Sequence, residues 1–365
     1  MRKTTTLLVL VLFAITFNCC TTDDYIPPRE DIYFPPITGT AWETTSLEDL
    51  DWDATKVDDL YSFLSTNKTR AFLVLEKGKI VMEKYWGQNI LNTKDFGKEE
   101  FWYWASAGKT ITSFLVGMAQ QEGRLSIEDK SSKYLGENWT TASIDDENLI
   151  RIRHQLSMST GLDYEVGSLD CTDSLCLKYK KRAGTQWYYH NAPYTLLSKV
   201  IENATGMDYN DYTAEKLATT GMKGRWIQSD SSNLFWSTAR DAARFGLLMM
   251  NEGRWDKTSI LKDSDYFGDM IEPSQSINKS YGYLWWLNGK ESILYPGFTN
   301  SVPTSLAPSA PEDLYAAMGK NGQFIDVVPS DDLVVIRMGE APDNSLVPIV
   351  FHDEMWKKIN AIRKK

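Results

Sequence analysis

Strand-forming segments lie near both ends of this chain, and helix-forming segments fill its middle. Arg70–Leu75 and Ile80–Tyr85 are apolar and β-branched on either side of Gly78, which predicts a β-hairpin. Further short strands are predicted in the last third of the chain, before a helix over 346–362. We therefore predict an α/β (α+β) fold, in which one antiparallel sheet is built from both chain ends and flanked by helices. A mainly helical lobe of about residues 124–252 is inserted. The other predicted strands are Tyr281–Trp286, Leu314–Met318, Phe324–Val328 and Leu333–Arg337, and the predicted internal helices are Lys109–Gln121, Ile150–Met158, Tyr194–Ala204, Tyr209–Ala218 and Thr238–Asn251.

The N-terminal segment, residues 1–20, is predicted to be an export signal. The apolar run Leu7–Phe17 follows a basic start and is shorter than the roughly 20 residues of a membrane-spanning helix. Cys19 and Cys20 come next and resemble the lipidation site of bacterial lipoproteins, with Cys20 slightly favoured. We expect an exported protein, held at the membrane by a lipid anchor only and facing the periplasm or the cell surface. An ordinary cleaved signal peptide is the alternative.

The rest of the chain is predicted to be a tether and one domain. Residues 21–45 are acidic and rich in proline, which suits an extended tether, and we predict that residues 46–365 form a single domain. The net charge of −10 argues against nucleic acid as a partner. Cys171 and Cys176 are close enough in sequence for a local disulfide, with free thiols as the alternative. With three histidines and no ligand cluster, we predict no metal and no cofactor.

A Ser-x-x-Lys pattern at Ser106 and Lys109 is the candidate for nucleophilic catalysis. It stands where an aromatic stretch meets the start of a strongly apolar helix. Residues three apart share a helix face, the helix N-terminus favours developing negative charge, and an apolar setting lowers the pKa of a lysine. The pattern alone does not identify a nucleophile, because it occurs three more times, at Ser65-Lys68, Ser259-Lys262 and Ser276-Lys279.

Two further motifs follow in order and occur once each. Tyr189 and Asn191 form a Tyr-x-Asn motif around His190, and Lys320 and Gly322 form a Lys-x-Gly motif. A phenol can move a proton, and a cation near it can attract substrate. Together the three motifs favour acyl transfer through a covalent serine intermediate at Ser106. We expect His190 to be a packing residue.

With these motifs the chain resembles the serine β-lactamase and penicillin-binding-protein superfamily, in its class C-like branch. The segments Arg151–Leu162, Ser237–Gly246 and Tyr281–Trp286 also resemble stretches habitual in that superfamily.

The resemblance implies a β-lactamase-like fold and a role for each motif residue. Ser106 would be acylated, Lys109 and Tyr189 would transfer protons, and Asn191 would orient Lys109 and the substrate. Lys320 would place positive charge near Tyr189, and the backbone N–H groups of Ser106 and Gln323, beside Gly322, would form the oxyanion hole. The order of proton transfer between Lys109 and Tyr189 stays open.

The residue after the third motif, Gln323, bears on the substrate. A bulky amide is expected to crowd the place of a β-lactam carboxylate, and Ala310–Gln323 resembles the 6-aminohexanoate-dimer hydrolase and esterase branch. We therefore predict a hydrolase of an ester or linear amide, acting on a small molecule or a peptide. A β-lactamase or D-Ala-D-Ala peptidase is one alternative, and a non-catalytic cell-envelope binding or sensor lipoprotein is another. A Ser-His-Asp catalytic triad is an alternative mechanism, and it would have to use His352 of the predicted terminal helix.

Overall fold

A computed structural model describes residues 31–229 and 231–365. The predicted signal segment, the lipidation candidates Cys19 and Cys20, and residues 21–30 of the predicted tether lie outside the described residues. Among the described residues, no helix combines the length and the apolar character that crossing a membrane requires.

The strands are β1 Thr69–Glu76, β2 Lys79–Tyr85, β3 Trp102–Tyr103, β4 Arg225–Ser229, β5 Ser232–Ser237, β6 Arg254–Trp255, β7 Thr258–Ser259, β8 Trp286–Leu287, β9 Tyr315–Gly319, β10 Gln323–Val328 and β11 Leu333–Gly339. The helices are α1 Val57–Thr66, α2 Lys109–Gln121, α3 Ser132–Leu135, α4 Ile144–Glu147, α5 Ile152–Leu156, α6 Asn191–Thr195, α7 Leu197–Thr205, α8 Tyr209–Leu217, α9 Ala239–Met250, α10 Ser264–Ile271 and α11 Ile349–Arg363.

The main sheet joins the two ends of the chain, which confirms the predicted architecture. Its strand order is β2-β1-β11-β10-β9-β8, and every neighbouring pair is antiparallel. The β1–β2 turn requires Gly78, because its φ is +78° and a Cβ atom there would lie 1.9 Å from the Tyr33 carbonyl oxygen. The turn is therefore pressed against the segment that precedes the domain.

Helices cover both faces of this sheet, and the side chains of β10 alternate between them. Ile325 faces α9, where Gly246 packs so closely that a Cβ would lie 3.2 Å from the Ile325 side chain. On the other face, Phe324 stacks on Phe351 of α11 at 6.2 Å, and Asp326 accepts a hydrogen bond from Trp356. The core is thus a helix–sheet–helix sandwich, in which β9 and β10 lie beside the segment Ala105–Gly108 that leads into α2.

Three observed features differ from the sequence-based expectations. Residues 31–45 were expected to be part of a tether, but they lie along the domain: Ile32 is buried and the Trp42 indole donates to the Gly78 carbonyl. Two strands of the expected lobe, β4 and β5, form a small antiparallel sheet with β3, which lies outside the lobe; the order is β3-β5-β4, and sequence patterns did not predict it. The strand expected over Tyr281–Trp286 is reduced to β8, because Leu284 adopts a left-handed φ of 64°.

Candidate active site

The turn that carries Ser106 joins β3 to α2. A short 3₁₀ helix over Ala105–Gly108 leads directly into α2, and Ala105 holds a left-handed φ of 47°, which is rare for a residue with a side chain. Gly319, at the end of β9, packs against this turn, since a Cβ there would lie 2.5 Å from the Trp104 carbonyl oxygen. The turn presents Ser106 half-buried beside the β9–β10 hairpin.

Lys109 lies next to Ser106 in an apolar environment. Its Nζ donates to Ser106 Oγ at 3.4 Å and lies 3.9 Å from the centroid of the Tyr194 ring. Burial lowers the pKa of Lys109 from 10.5 to about 7, and the negative charge of Asp170 opposes part of this shift. Near neutral pH a large fraction of this lysine is therefore an uncharged amine that can accept a proton. Among the four Ser-x-x-Lys pairs, this is the one with a side-chain hydrogen bond within the described residues.

Tyr189 lies close to both Ser106 and Lys109. Its ring stacks on Trp286 with centroids 5.8 Å apart and lies 5.4 Å from Lys109 Nζ. Burial raises the pKa of Tyr189 well above its ordinary value, and a side-chain hydrogen bond with Ser106 opposes this only in part. The phenol is therefore protonated at neutral pH and can act as a proton donor.

Asn191 contacts a residue that the sequence analysis did not single out. Its Nδ2 donates to Asp170 Oδ1 at 2.7 Å, while its own Oδ1 is buried without a hydrogen-bond partner. The expected contact of Asn191 with Lys109 is not among the hydrogen bonds of the described residues. Asp170 lies directly before the Cys171–Cys176 disulfide, whose Cα atoms are 5.9 Å apart. The carboxylate of Asp170 is close enough to raise the pKa of Lys109.

The Lys-x-Gly motif forms the tip of the β9–β10 hairpin. Lys320 is exposed, and no hydrogen bond or ion pair joins it to Tyr189 or Ser106 in the described parts of the chain. Asn321, with a left-handed φ of 67°, donates from Nδ2 to the Tyr103 hydroxyl at 2.7 Å. The hairpin is therefore tied to β3, three residues before the nucleophile.

The side chain of Gln323 points away from the site, so the predicted crowding of a β-lactam carboxylate by this amide is wrong. It is 1 % exposed, its Nε2 donates to the Gly339 carbonyl at 2.7 Å, and its Oε1 accepts from the Gly339 N–H at 3.0 Å. These two hydrogen bonds join the start of β10 to the end of β11. The backbone of Gln323 pairs with Gly319, the residue that contacts the Ser106 turn.

Arg337, which the sequence analysis also did not single out, binds the tip of the β9–β10 hairpin. The guanidinium is fully buried and donates to the carbonyls of Asn321 and Gly322, and also to three groups at the start of β1 and the end of β11. Those three acceptors are Thr69 Oγ1 and the carbonyls of Asn67 and Glu340. Because a fixed guanidinium fork imposes directions on its acceptors, Arg337 orients the hairpin tip.

The histidines lie outside this chemistry. His190 is buried with neither ring nitrogen hydrogen-bonded, and burial lowers its pKa to about 4, so it is neutral. His352 is paired with Asp326 at 2.7 Å beneath the main sheet, and it is not available for a triad with Ser106. Within residues 31–229 and 231–365, no group of three or more His, Cys, Asp or Glu side chains is arranged to hold a metal ion.

Comparisons with known proteins identify the family and the fold of the chain. A family model described as Beta-lactamase matches residues 68–344, which is most of the chain. An uncharacterised protein of Alkalihalophilus pseudofirmus is 23% identical over 299 residues, covering 72% of this chain and 81% of that protein.

Two solved structures show the same fold at low identity. One, from Bacillus anthracis, is provisionally named a 6-aminohexanoate-dimer hydrolase; it has a TM-score of 0.69 and 19% identity and covers 92% of this chain and 91% of its own. The other is a family VIII carboxylesterase with a TM-score of 0.62 and 14% identity, covering 83% of this chain and 96% of its own. From the matched family model and the fold, this chain belongs to the beta-lactamase family of serine hydrolases.

Proposed function

We propose that this protein hydrolyses an ester or a linear amide through an acyl-enzyme on Ser106. One observation carries the proposal: a half-exposed serine hydroxyl lies 3.4 Å from a buried lysine whose pKa is about 7. A buried lysine of this kind is costly to keep, and an uncharged amine beside a hydroxyl is what nucleophilic catalysis needs. A binding protein of the same fold would have no use for it.

In the proposed mechanism, neutral Lys109 takes the first proton. Ser106 Oγ attacks the carbonyl carbon while its proton passes to Lys109 Nζ, giving a tetrahedral adduct. The adduct collapses when the bond to the leaving oxygen or nitrogen breaks. The Tyr189 hydroxyl gives that atom its proton and regains one from Lys109. Water then attacks the acyl-enzyme with the same groups acting in reverse, and releases the acid. The high pKa of Tyr189 supports its role as a donor rather than as the first base.

The oxyanion would be bound by backbone N–H groups at the junction of the Ser106 turn and the hairpin. The Ser106 N–H is one donor, as the sequence resemblance implies. For the second donor we retain the Gln323 N–H and add the Lys320 N–H as an alternative, because Lys320 follows Gly319, whose backbone contacts the turn. The exposed charge of Lys320 is available to attract an anionic part of a substrate.

The choice of ester or linear amide over β-lactam no longer depends on the side chain of Gln323. It is supported by the names of two proteins with the same fold, a 6-aminohexanoate-dimer hydrolase and a carboxylesterase. Export as a lipid-anchored protein also stays a proposal, and the Cys171–Cys176 disulfide supports an oxidising compartment.

The proposal is tested by comparing the wild type with Ser106→Ala and Lys109→Met on three substrate classes. We expect p-nitrophenyl esters to be hydrolysed by the wild type, with a loss of at least about 10³-fold in kcat in both variants. Nitrocefin and a D-Ala-D-Ala peptide should be poorer substrates. A much higher kcat/KM for nitrocefin than for the esters would contradict the proposed substrate class, and unchanged ester hydrolysis by Ser106→Ala would contradict the nucleophile.

A further inference from the structure

The amine of Lys109 lies over the face of an aromatic ring that belongs to none of the three motifs. Lys109 Nζ is 3.9 Å from the centroid of the Tyr194 ring, against 5.4 Å for the ring of Tyr189. Tyr194 is buried on α6, three residues after Asn191. Within the described residues, the side-chain hydrogen bond of this amine is the one to Ser106 Oγ. Tyr194 is therefore in direct contact with the group that we propose as the first base.

The helix that carries Lys109 also fixes the Tyr194 ring. Thr112 follows Lys109 by three residues on α2, and its Oγ1 donates to the Tyr194 hydroxyl at 3.4 Å. The same Oγ1 is hydrogen-bonded to the hydroxyl of Tyr209, on α8, at 2.7 Å. All of these side chains are buried. Residues three apart share a helix face, so α2 contacts the ring twice, with the lysine over its face and the threonine at its hydroxyl.

The groups around Lys109 make this ring a suitable partner for a lysine that must gain and lose a proton. The titratable groups that face its amine are Tyr189 and Tyr194, and the charged group that acts on it is Asp170. Burial raises the pKa of both tyrosines well above the ordinary range, so both rings are neutral. The face of a neutral ring attracts an ammonium group, most strongly where water is excluded. A carboxylate in the same place would keep the lysine protonated at neutral pH.

We propose that Tyr194 is a positioning residue, whose ring face holds the Lys109 amine beside Ser106 and stabilises the ammonium that forms when this amine takes the Ser106 proton. The role in the reaction rests on the proposed function. In that step the O–H bond of Ser106 breaks, a new N–H bond forms on Lys109 Nζ, and a positive charge develops 3.9 Å from the ring. Since the neutral amine lacks this attraction, the ring favours the transition state over the ground state.

The test weakens the ring face without changing its shape. Position 194 is occupied by phenylalanine and then by phenylalanine with one, two or three ring fluorines, which withdraw electron density from the face. The pKa of Lys109 is measured by NMR on protein with ¹³C-labelled lysine, and its signal is identified by its absence in Lys109→Met. Tyr194→Phe should shift this pKa by less than about 0.5, and three fluorines should lower it by about 1 in steps. The rise of kcat/KM with pH for a p-nitrophenyl ester should move with it.

The matched control is the same series at Tyr212, a buried tyrosine of α8 whose hydroxyl bonds Glu122 at the other end of α2. It should leave the pKa of Lys109 unchanged. An equal pKa in Tyr194→Phe and in its fluorinated forms would overturn the inference, because packing alone would then account for the ring. A stepwise fall supports the contact whether or not esters are hydrolysed. If the wild type hydrolyses no ester, the proposed function fails separately.

Discussion

The burial that prepares Lys109 for catalysis lowers the stability of the folded protein, and Lys109→Met should restore the stability that is lost. The pKa of Lys109 falls from 10.5 to about 7 on folding because the apolar environment disfavours the ammonium form. At about 1.4 kcal/mol per pKa unit, this costs about 4 kcal/mol at pH 7. Methionine is similar in length, fills the same space and keeps the contact with the Tyr194 ring. We expect Lys109→Met to be more stable than the wild type by about 2–4 kcal/mol at pH 7.

The pH dependence of this gain follows from the sign of the shift. Below pH 7 the lysine is protonated in both the folded and the unfolded chain, so the full cost of burying the charge is present. Above pH 7 the folded protein holds the neutral amine while the unfolded chain still binds a proton, and the cost declines until it disappears near the unfolded pKa of 10.5. The gain should therefore be constant from pH 5 to 7 and vanish above about pH 10.

Urea denaturation followed by tryptophan fluorescence, at pH 6, 7, 9 and 10, measures this difference in the free energy of unfolding. Lys320→Met is the matched control, because Lys320 is an exposed lysine and its replacement should change stability by less than about 0.5 kcal/mol. A Lys109→Met protein that is less stable than the wild type at pH 6, or whose gain does not change with pH, would refute the reasoning.

Two further predictions concern residues around the site. In the wild type, kcat/KM for a p-nitrophenyl ester should rise with pH through about 7 as Lys109 loses its proton. Asp170→Asn should move this rise to lower pH, because the Asp170 charge raises the pKa of Lys109. An unchanged pH profile in Asp170→Asn would show that Asp170 does not affect the pKa of the base. Arg337→Met should lower the free energy of unfolding by about 1–3 kcal/mol, because one buried and three partly buried carbonyls lose their donor. It should also lower kcat, because the hairpin loses its anchor. Exposed Arg225→Gln is the control for stability, and full kcat in Arg337→Met would contradict the anchoring role.

The sequence predicted the elements that depend on local pattern. The helix Lys109–Gln121 has the predicted bounds, because its apolar spacing and the glycine after it are local signals. The C-terminal strands β9, β10 and β11 begin and end within two residues of their predicted limits. The small sheet was missed because β3 is only two residues long and its pairing partner β5 lies more than 100 residues away.

The sequence analysis predicted the three central residues of the candidate site but not the residues that surround them. Ser106, Lys109 and Tyr189 meet as the motif order indicated. Asp170 lies in an irregular loop, and no sequence pattern tells how such a loop packs on Asn191. The direction of the Gln323 side chain depends on where β10 begins to pair with its neighbours, which no local signal determines.

The central claim is that Ser106 forms the acyl-enzyme, and mass spectrometry of the trapped intermediate tests it most directly. The protein is reacted with a p-nitrophenyl ester, quenched in acid within the first turnovers, and digested. We predict that the acyl mass is found on the peptide that contains Ser106, that it is absent from Ser106→Ala, and that it forms far more slowly in Lys109→Met. An acyl group on another residue, or ester hydrolysis by Ser106→Ala at the wild-type rate, would contradict the account.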